Sequence, residues 1–416
     1  PYSTIQEAVN QAGPGTQILV ADGIYKETIS FPASGSPNNW IQVKAAGAGA
    51  ILEGSDTLTG NVWARVEGKN NLWFMRLDDA IRYLARDGLR FYQYDDMRGL
   101  NNMAGHGNVT IREGWFYDQS AKKLYIRSQD DPNAHAWQIP RFNQAFNITA
   151  RDWIWIEGFE MRFSGRCGVC ALNASHLTLR RNRIHNVHLG IFIQWDGDET
   201  QGNDTRIEFN EVYDPPAANW DWNALKGGAM ESTGIIVRGH IGAIVRGNEV
   251  HPYFNGIYTG VSGAAGEDPA IAFDADIYDN RIHHISDDAL EPEGACINHR
   301  FRNNAIDAAF SGVSLAPITY GPTWVIRNTV ANFTNKAVKW SGNSDGIIYF
   351  YHNTSWTNAP DANGMDLITP IKNTVLRNNI FQINGNGFSF IARAAGASAN
   401  DWNFDNWFNS RTSSNP

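Results

Sequence analysis

One phrase recurs along the last two thirds of this chain: a strand end bearing Asn, a turn, then Gly or Ala opening an alternating apolar run. Its Asn residues are 182, 210, 248, 280, 304, 328, 353 and 379, so the intervals are 28, 38, 32, 24, 24, 25 and 26 residues. Gly158 precedes Asn182 by 24 in the same frame. A minimum near 24 with occasional longer members is the arithmetic of a coil of three short strands, some of whose turns carry loops. Each repeat holds runs rich in Ile, Val, Phe and Tyr broken by Gly, Asn and Asp, and none has a helical stretch long enough to cross between parallel strands. Such strands bury their apolar face only by stacking on the next coil. The chain therefore reads as all-β, a right-handed parallel β-helix. The recurring Asn is expected to ladder its amide along the inner turn, where backbone groups otherwise lack partners. That role is structural, not catalytic.

Length 416 would suggest two or three ordinary domains, but a solenoid grows along one axis and escapes that limit. A net charge of −9 without a Lys/Arg cluster argues against nucleic acid and anionic membranes as partners. No run of 18 apolar residues spans a bilayer. The chain opens at Pro1 directly in a folded-looking segment, so a signal peptide is expected either to have been removed or never to have existed. Cys167 and Cys170 form a Cys-Gly-Val-Cys unit, read as small apolar fillers with room for one local bridge. Cys296 lies about four coils on, roughly 19 Å at about 4.8 Å per coil, beyond disulfide reach.

Three parts are expected: residues 1–55 as cap and first coil, 56–147 as an inserted β-rich module, and 148–416 as the main stack. Thr4-Ile5-Gln6-Glu7-Ala8-Val9 reads as a short amphipathic helix plugging the open end of the core. The strings Gly15-Thr16-Gln17-Ile18-Leu19-Val20-Ala21-Asp22-Gly23-Ile24-Tyr25, Ile41-Gln42-Val43-Lys44-Ala45 and Ile51-Leu52-Glu53-Gly54 follow it. This order closely resembles the N-terminus of secreted carbohydrate-active proteins of the pectin-lyase-like superfamily, which include alginate and chondroitin lyases and several glycosidase families. The string from Gly114-Trp115-Phe116-Tyr117 to Leu124-Tyr125-Ile126 is similar to one found in β-helical glycosidases. The resemblance implies the β-helix scaffold, a polysaccharide partner and a secreted or periplasmic monomer. That scaffold carries lyases, hydrolases, epimerases and adhesins, so function has to be read from its face.

Alternation assigns the register of that face. One outward row reads Phe192, Ile236, Tyr258, Glu291, Ser314, Lys339, Asp366; its neighbour reads Gln194, Arg238, Gly260, Glu293, Ala316, Ser341, Ile368. Ser286-Asp287-Asp288-Ala289-Leu290-Glu291-Pro292-Glu293 is the densest acidic cluster. Glu291 and Glu293 should project together about 6.5–7 Å apart, close enough to split into a proton donor and an ionised partner. Asp288, Tyr258 and Lys339 complete the catalytic candidates. Arg238, Asp366, Gln194 and the loop tryptophans Trp220 and Trp222 are candidates for holding sugar, with Gly260 leaving room above Glu293. The acidic loop Asp196-Gly197-Asp198-Glu199-Thr200-Gln201-Gly202-Asn203-Asp204 reads as a solvated turn, its Gly misplaced for an EF-hand.

The leading expectation is a secreted glycoside hydrolase acting along the sheet groove with Glu291 and Glu293 as acid and base. A second is β-elimination from a uronate polymer, with Ca²⁺ at Glu291 and Glu293 and a proton taken by Lys339, Tyr258 or Arg238. Glu291-Pro292-Glu293 resembles the paired glutamates that hold calcium in alginate and chondroitin lyases, although their closely following lysine and Arg-His unit are missing here. A third is a glycan-binding β-helix without catalysis.

Overall fold

The computed structural model describes residues 2–196, 202–260, 271–340, 344–367, 369, 371–392 and 400–409. The chain is a right-handed parallel β-helix whose coils present three sheet faces. The first face is a twelve-stranded parallel sheet running from Gln17–Val20 through Ile41–Ala45, Ile154–Glu157 and Leu177–Arg180 to Asp401–Asn403. The second carries Ala50–Glu53, Glu160–Arg162, Arg183–His185, Glu211–Tyr213 and their successors. The third, which holds the acidic cluster, carries Gln144–Thr149, Cys167–Leu172, Leu189–Gln194, Thr233–Arg238 and Asn255–Tyr258, and continues to Phe390–Ala392. Two eleven-residue strands, Arg281–Glu291 and Ala305–Leu315, turn the corner and belong to the second and third faces alike.

In-register stacking puts like residues above one another, so the core is a set of apolar columns. Ile156, Leu179, Ile207, Val245, Ile277 and Phe301 are consecutive partners in one such column, and all are fully buried. The asparagines form the ladder that their spacing implies. Each Nδ2 from Asn182 to Asn353 donates to the next Oδ1 at 2.9–3.1 Å, and each also donates to a backbone carbonyl of the preceding coil. Asn379 ends the series by donating to Asp405 at 2.8 Å, and a carboxylate has no proton to pass on. The residue before each Asn is left-handed, from Arg181 at φ +52° to Asn378 at +57°. Gly158 shares that left-handed site, aligned with Arg181 rather than Asn182 as the count of 24 suggests, and Phe159 takes the ladder place.

The N-terminal helix spans Ile5–Asn10, closed by a capping box between Thr4 and Glu7, and buries Ile5, Ala8 and Val9 against the first coil. Between Glu53 and Gln144 the coil is interrupted by antiparallel strands in two small sheets. These have their own cores, one around Trp73, Trp115 and Trp137, the other around Tyr92, Tyr94 and Leu100. The inserted strands are pinned to the stack by Asp214, which is buried and accepts from Arg90 and from the Tyr83 hydroxyl, each at 2.7 Å. Cys167 and Cys170 close the local disulfide, and Cys296 is a buried thiol that donates to the Thr259 and Glu293 carbonyls.

Candidate active site

Parallel stacking makes the outward row a column of direct neighbours. Phe192 pairs with Ile236, Ile236 with Tyr258, Tyr258 with Glu291, Ser314 with Lys339 and Lys339 with Asp366. One irregularity shapes the site. Against Ala305–Leu315, the strand Arg281–Glu291 pairs Ile285 with Ala309 and then Asp288 with Ser311, so it holds one residue more over that stretch. Such a bulge re-aims side chains. Asp287 meets the loop over 214–232, accepting from the Trp222 indole at 2.8 Å and the Lys226 ammonium at 2.9 Å. Asp288 meets the groove, accepting from Lys339 Nζ at 2.7 Å.

Asp288, Glu291 and Glu293 each bring a carboxylate oxygen within 4.8 Å of the other two. This corrects the 6.5–7 Å expected from strand geometry: the strand rise sets where the backbones sit, but the side chains converge. The solvent-facing setting expected for both glutamates is also corrected for Glu291. It is 6% exposed and Asp288 1%, because the groove is walled in by neighbouring coils. Burial opposes ionisation, and three carboxyls in contact oppose it further. Burial, then Asp288 and Glu293, raise Glu291 well above the carboxylate range. Burial, helped by the Asp288 charge, outweighs the Ser314 hydroxyl and Lys339 at Glu293 and pushes it up to about 7. Burial and the Asp287 charge raise Asp288, while Lys339 pulls it back. Burial opposes the charge of Lys339, but Asp288, Glu293 and Asp287 together outweigh it and raise the ammonium. Asp288 Oδ1 and Glu291 Oε1 are buried without a protein partner.

Tyr258 lies beside Glu291 with its phenol pushed up to about 12 by burial, and the Arg238 guanidinium stands 4.6 Å over its ring. Gly260 does not leave room above Glu293. A Cβ there would stand 2.5 Å from the Glu293 carbonyl, so the glycine permits a close backbone approach. Asp366 is buried one coil beyond Lys339, 3.5 Å from Lys336 Nζ. Gln194 pairs with Arg238, three coils from Glu293, and is engaged with Asp196. Trp220 packs edge-on to Tyr92 at 5.6 Å, and Trp222 stacks on Phe310 at 5.6 Å. Both are half-buried between inserted module, loop and coils, so they cover neighbouring structure as well as edging the groove. Residues 197–201 of the acidic loop, Ser341 and Ile368 lie outside the described residues.

Sequence reasoning missed Asp287, Lys226 and Lys336 as members of this network. Lys336 stands three residues before Lys339 in the same strand and was open to the same register argument. Lys226 reaches Asp287 from 61 residues away in a loop without period, so no local signal marks it.

A family model described as a right handed beta helix region matches residues 144–316. No curated protein matches the chain by sequence. Among solved structures, the chain is similar to one described as the complex structure of XylC with xylose, at 15% identity over 99% of this chain and 83% of that one, with a TM-score of 0.55. It is also similar to one described as a glycoside hydrolase, at 11% identity over 100% of this chain and 94% of the other, with a TM-score of 0.55. At these identities the likeness is one of fold.

Proposed function

We propose that this protein cleaves glycosidic bonds of a polysaccharide lying along the third sheet face, and that it does so by hydrolysis. The observation that carries this reading is the convergence of Asp288, Glu291 and Glu293 in a buried groove with unequal hold on their protons. Glu291, whose burial and acidic neighbours favour its protonated form, serves as the acid on the leaving oxygen. Glu293, titrating near 7, supplies the ionised partner, and Asp288 is held by Lys339. Retaining glycosidases hold their two carboxyls about 5–5.5 Å apart and inverting ones roughly 6.5–9.5 Å; nearest oxygens within 4.8 Å of each other favour the retaining arrangement here. Retention, read by proton NMR of the first anomer released, is the expected outcome. The xylose-bound and glycoside hydrolase structures lend the fold a fitting precedent.

Calcium-dependent β-elimination is the second reading. Asp288, Glu291 and Glu293 fit a hard cation, since all three donors are oxygens and two of those oxygens are buried without partners. Bound there, Ca²⁺ would neutralise a uronate carboxylate of the substrate. Among the described residues, none of the three candidates for the base suits the task. Lys339 is a protonated ion-pair partner, Tyr258 keeps its proton to about pH 12, and Arg238 cannot lose one. Hydrolysis is therefore the better account.

The deciding experiment incubates the protein with a polysaccharide panel and follows both reducing ends and the ultraviolet absorbance of an unsaturated uronate. Reducing ends alone support hydrolysis. Both signals together mean elimination, and binding without either means a glycan-binding β-helix. Secretion or a periplasmic location forms part of this proposal, supported by the Cys167–Cys170 disulfide, a bond that persists in oxidising compartments.

A further inference from the structure

A cavity of 440 Å³ opens where the inserted module meets the coils, and the chemistry above makes no use of it. Arg82 and Gln93 reach it from the module, Arg166, His188 and Leu189 from the coils, and Gly228 and Ala229 from the loop whose Lys226 holds Asp287. Among the described residues neither Arg82 nor Arg166 has an ion-pair partner. Elsewhere the half-buried or buried guanidiniums of Arg90, Arg162, Arg246 and Arg300 are each matched to a carboxylate. Cations gathered in a concavity without counter-charge repel one another and focus a positive field. His188 adds to the site instead of neutralising it. Its Nδ1 faces Arg90 at 2.9 Å, and a guanidinium only donates, so the imidazole is neutral with its proton on Nε2. Burial, then Arg90, Arg82 and Arg166, push it down to about 3, in keeping with Arg82 and Arg166 lining the same cavity and Arg90 touching the ring. Arg82 and Arg166 thus offer cations, His188 a neutral N–H donor, and Gln93 an amide whose NH2 can donate; among the described residues, no carboxylate lines the cavity.

The cavity borders the apolar floor of the groove through Leu189. Leu189 packs against the apolar strip of Cys170, Phe192, Ile236 and Tyr258, and that strip leads in register to Glu291. Arg166 stands 5.1 Å over the Phe192 ring and Arg238 stands over Tyr258, so guanidiniums flank an aromatic floor. Leu189 aligns through Thr233 and Asn255 with the Asp288 coil, three steps away, about 14 Å at roughly 4.8 Å per coil. A chain on this floor with its scissile bond at Glu291 would lay a more distant sugar over the cations.

We propose that the cavity bounded by Arg82, Arg166, His188 and Gln93 is an anion subsite that holds a carboxylate or sulfate group of an acidic polysaccharide, several coils from the bond that is cleaved. The proposal rests on the groove being a glycan site and names the class of glycan it takes. Recognition of charge by protein cations distant from the acid cluster fits hydrolysis as well as elimination.

The test is calorimetric binding to Glu291→Gln, which keeps the subsite while silencing turnover, of length-matched uronate, sulfated and neutral oligosaccharides. One acidic series should bind at least about tenfold more tightly than the neutral one, and Arg166→Gln and Arg82→Gln in that background should each remove most of the advantage while leaving the neutral affinity unchanged. Whichever acidic series gains identifies the group as carboxylate or sulfate. Arg82 is exposed, so its variant keeps the test open should Arg166→Gln disturb the packing on Phe192. Acidic oligosaccharides that bind no better than neutral ones, or wild-type affinity in both variants, would overturn the proposal. Arginine-dependent binding of acidic chains with no cleavage of any panel member would uphold the subsite and sink the cleavage reading. Cleavage confined to neutral polymers would do the reverse.

Discussion

Glu291 and Glu293 stand two residues apart, yet burial and neighbours give them different chemistry. Replacing either by Gln keeps size and polarity, so each variant should lose about 10²–10⁴ in kcat while circular dichroism stays native. Near wild-type turnover in either would remove the acid pair from the mechanism. Hydrolysis needs Glu293 ionised and Glu291 protonated. The rate should therefore rise as pH increases through about 7 and fall again where Glu291 loses its proton. A kcat/KM profile flat across neutrality would contradict these roles. The same group links to stability. Glu293 goes from an ordinary 4.5 to about 7 on folding, so its contribution is fully present below 4.5 and is lost as pH rises through 7. Glu293→Gln should accordingly melt above wild type at pH values beyond 7, and no higher than wild type below 4.5.

At the scale of elements, the Asn ladder and the 214–232 loop make separate demands. Asn280 accepts from the backbone and amide of Asn248 and donates to Asn304 and to the Val245 carbonyl, all out of solvent. Asn280→Ala leaves those groups unpaired at about 1–3 kcal/mol each. A fall of several kcal/mol in urea unfolding is expected, and a change below about 0.5 kcal/mol would show that the ladder is ornamental. In the loop, Trp222 both stacks on Phe310 and donates to Asp287. Trp222→Phe retains the ring and removes the donor, so activity should fall with little change in melting temperature. Ala at both Trp220 and Trp222 should lower melting temperature as well, since each is half-buried against an aromatic partner. Unaltered stability with weakened substrate binding would instead make them a sugar platform.

For the whole molecule, the stack acts as a ruler: each coil adds one row to a groove of fixed pitch, with an apolar floor on one side of the acid cluster and Lys339, Lys336 and Asp366 on the other. Metal dependence is a property of that assembled groove. Under hydrolysis, activity should survive excess EDTA. Loss on chelation with recovery on adding Ca²⁺, checked on the same polysaccharide, would shift the reaction to elimination.

The coil, its three-strand repeat, the capping helix and the order of the outward row from Tyr258 to Asp366 were all legible in the sequence. The reason is that in-register parallel stacking is local and periodic: residues one repeat apart are neighbours in space, and alternation says which of them face out. What the tertiary structure alone decided has no period. The bulge before Asp288 separates the tasks of Asp287 and Asp288 within one strand. Lys339 reaches back 51 residues to Asp288, and Lys226 reaches Asp287 across 61. Arg82 and Arg166 meet only because an insertion of antiparallel strands docks on the coils through Asp214. Side-chain convergence, and the burial that raises Glu291 and Glu293, arise from chains of contact closing over long loops, and the pattern of a single repeat does not encode them.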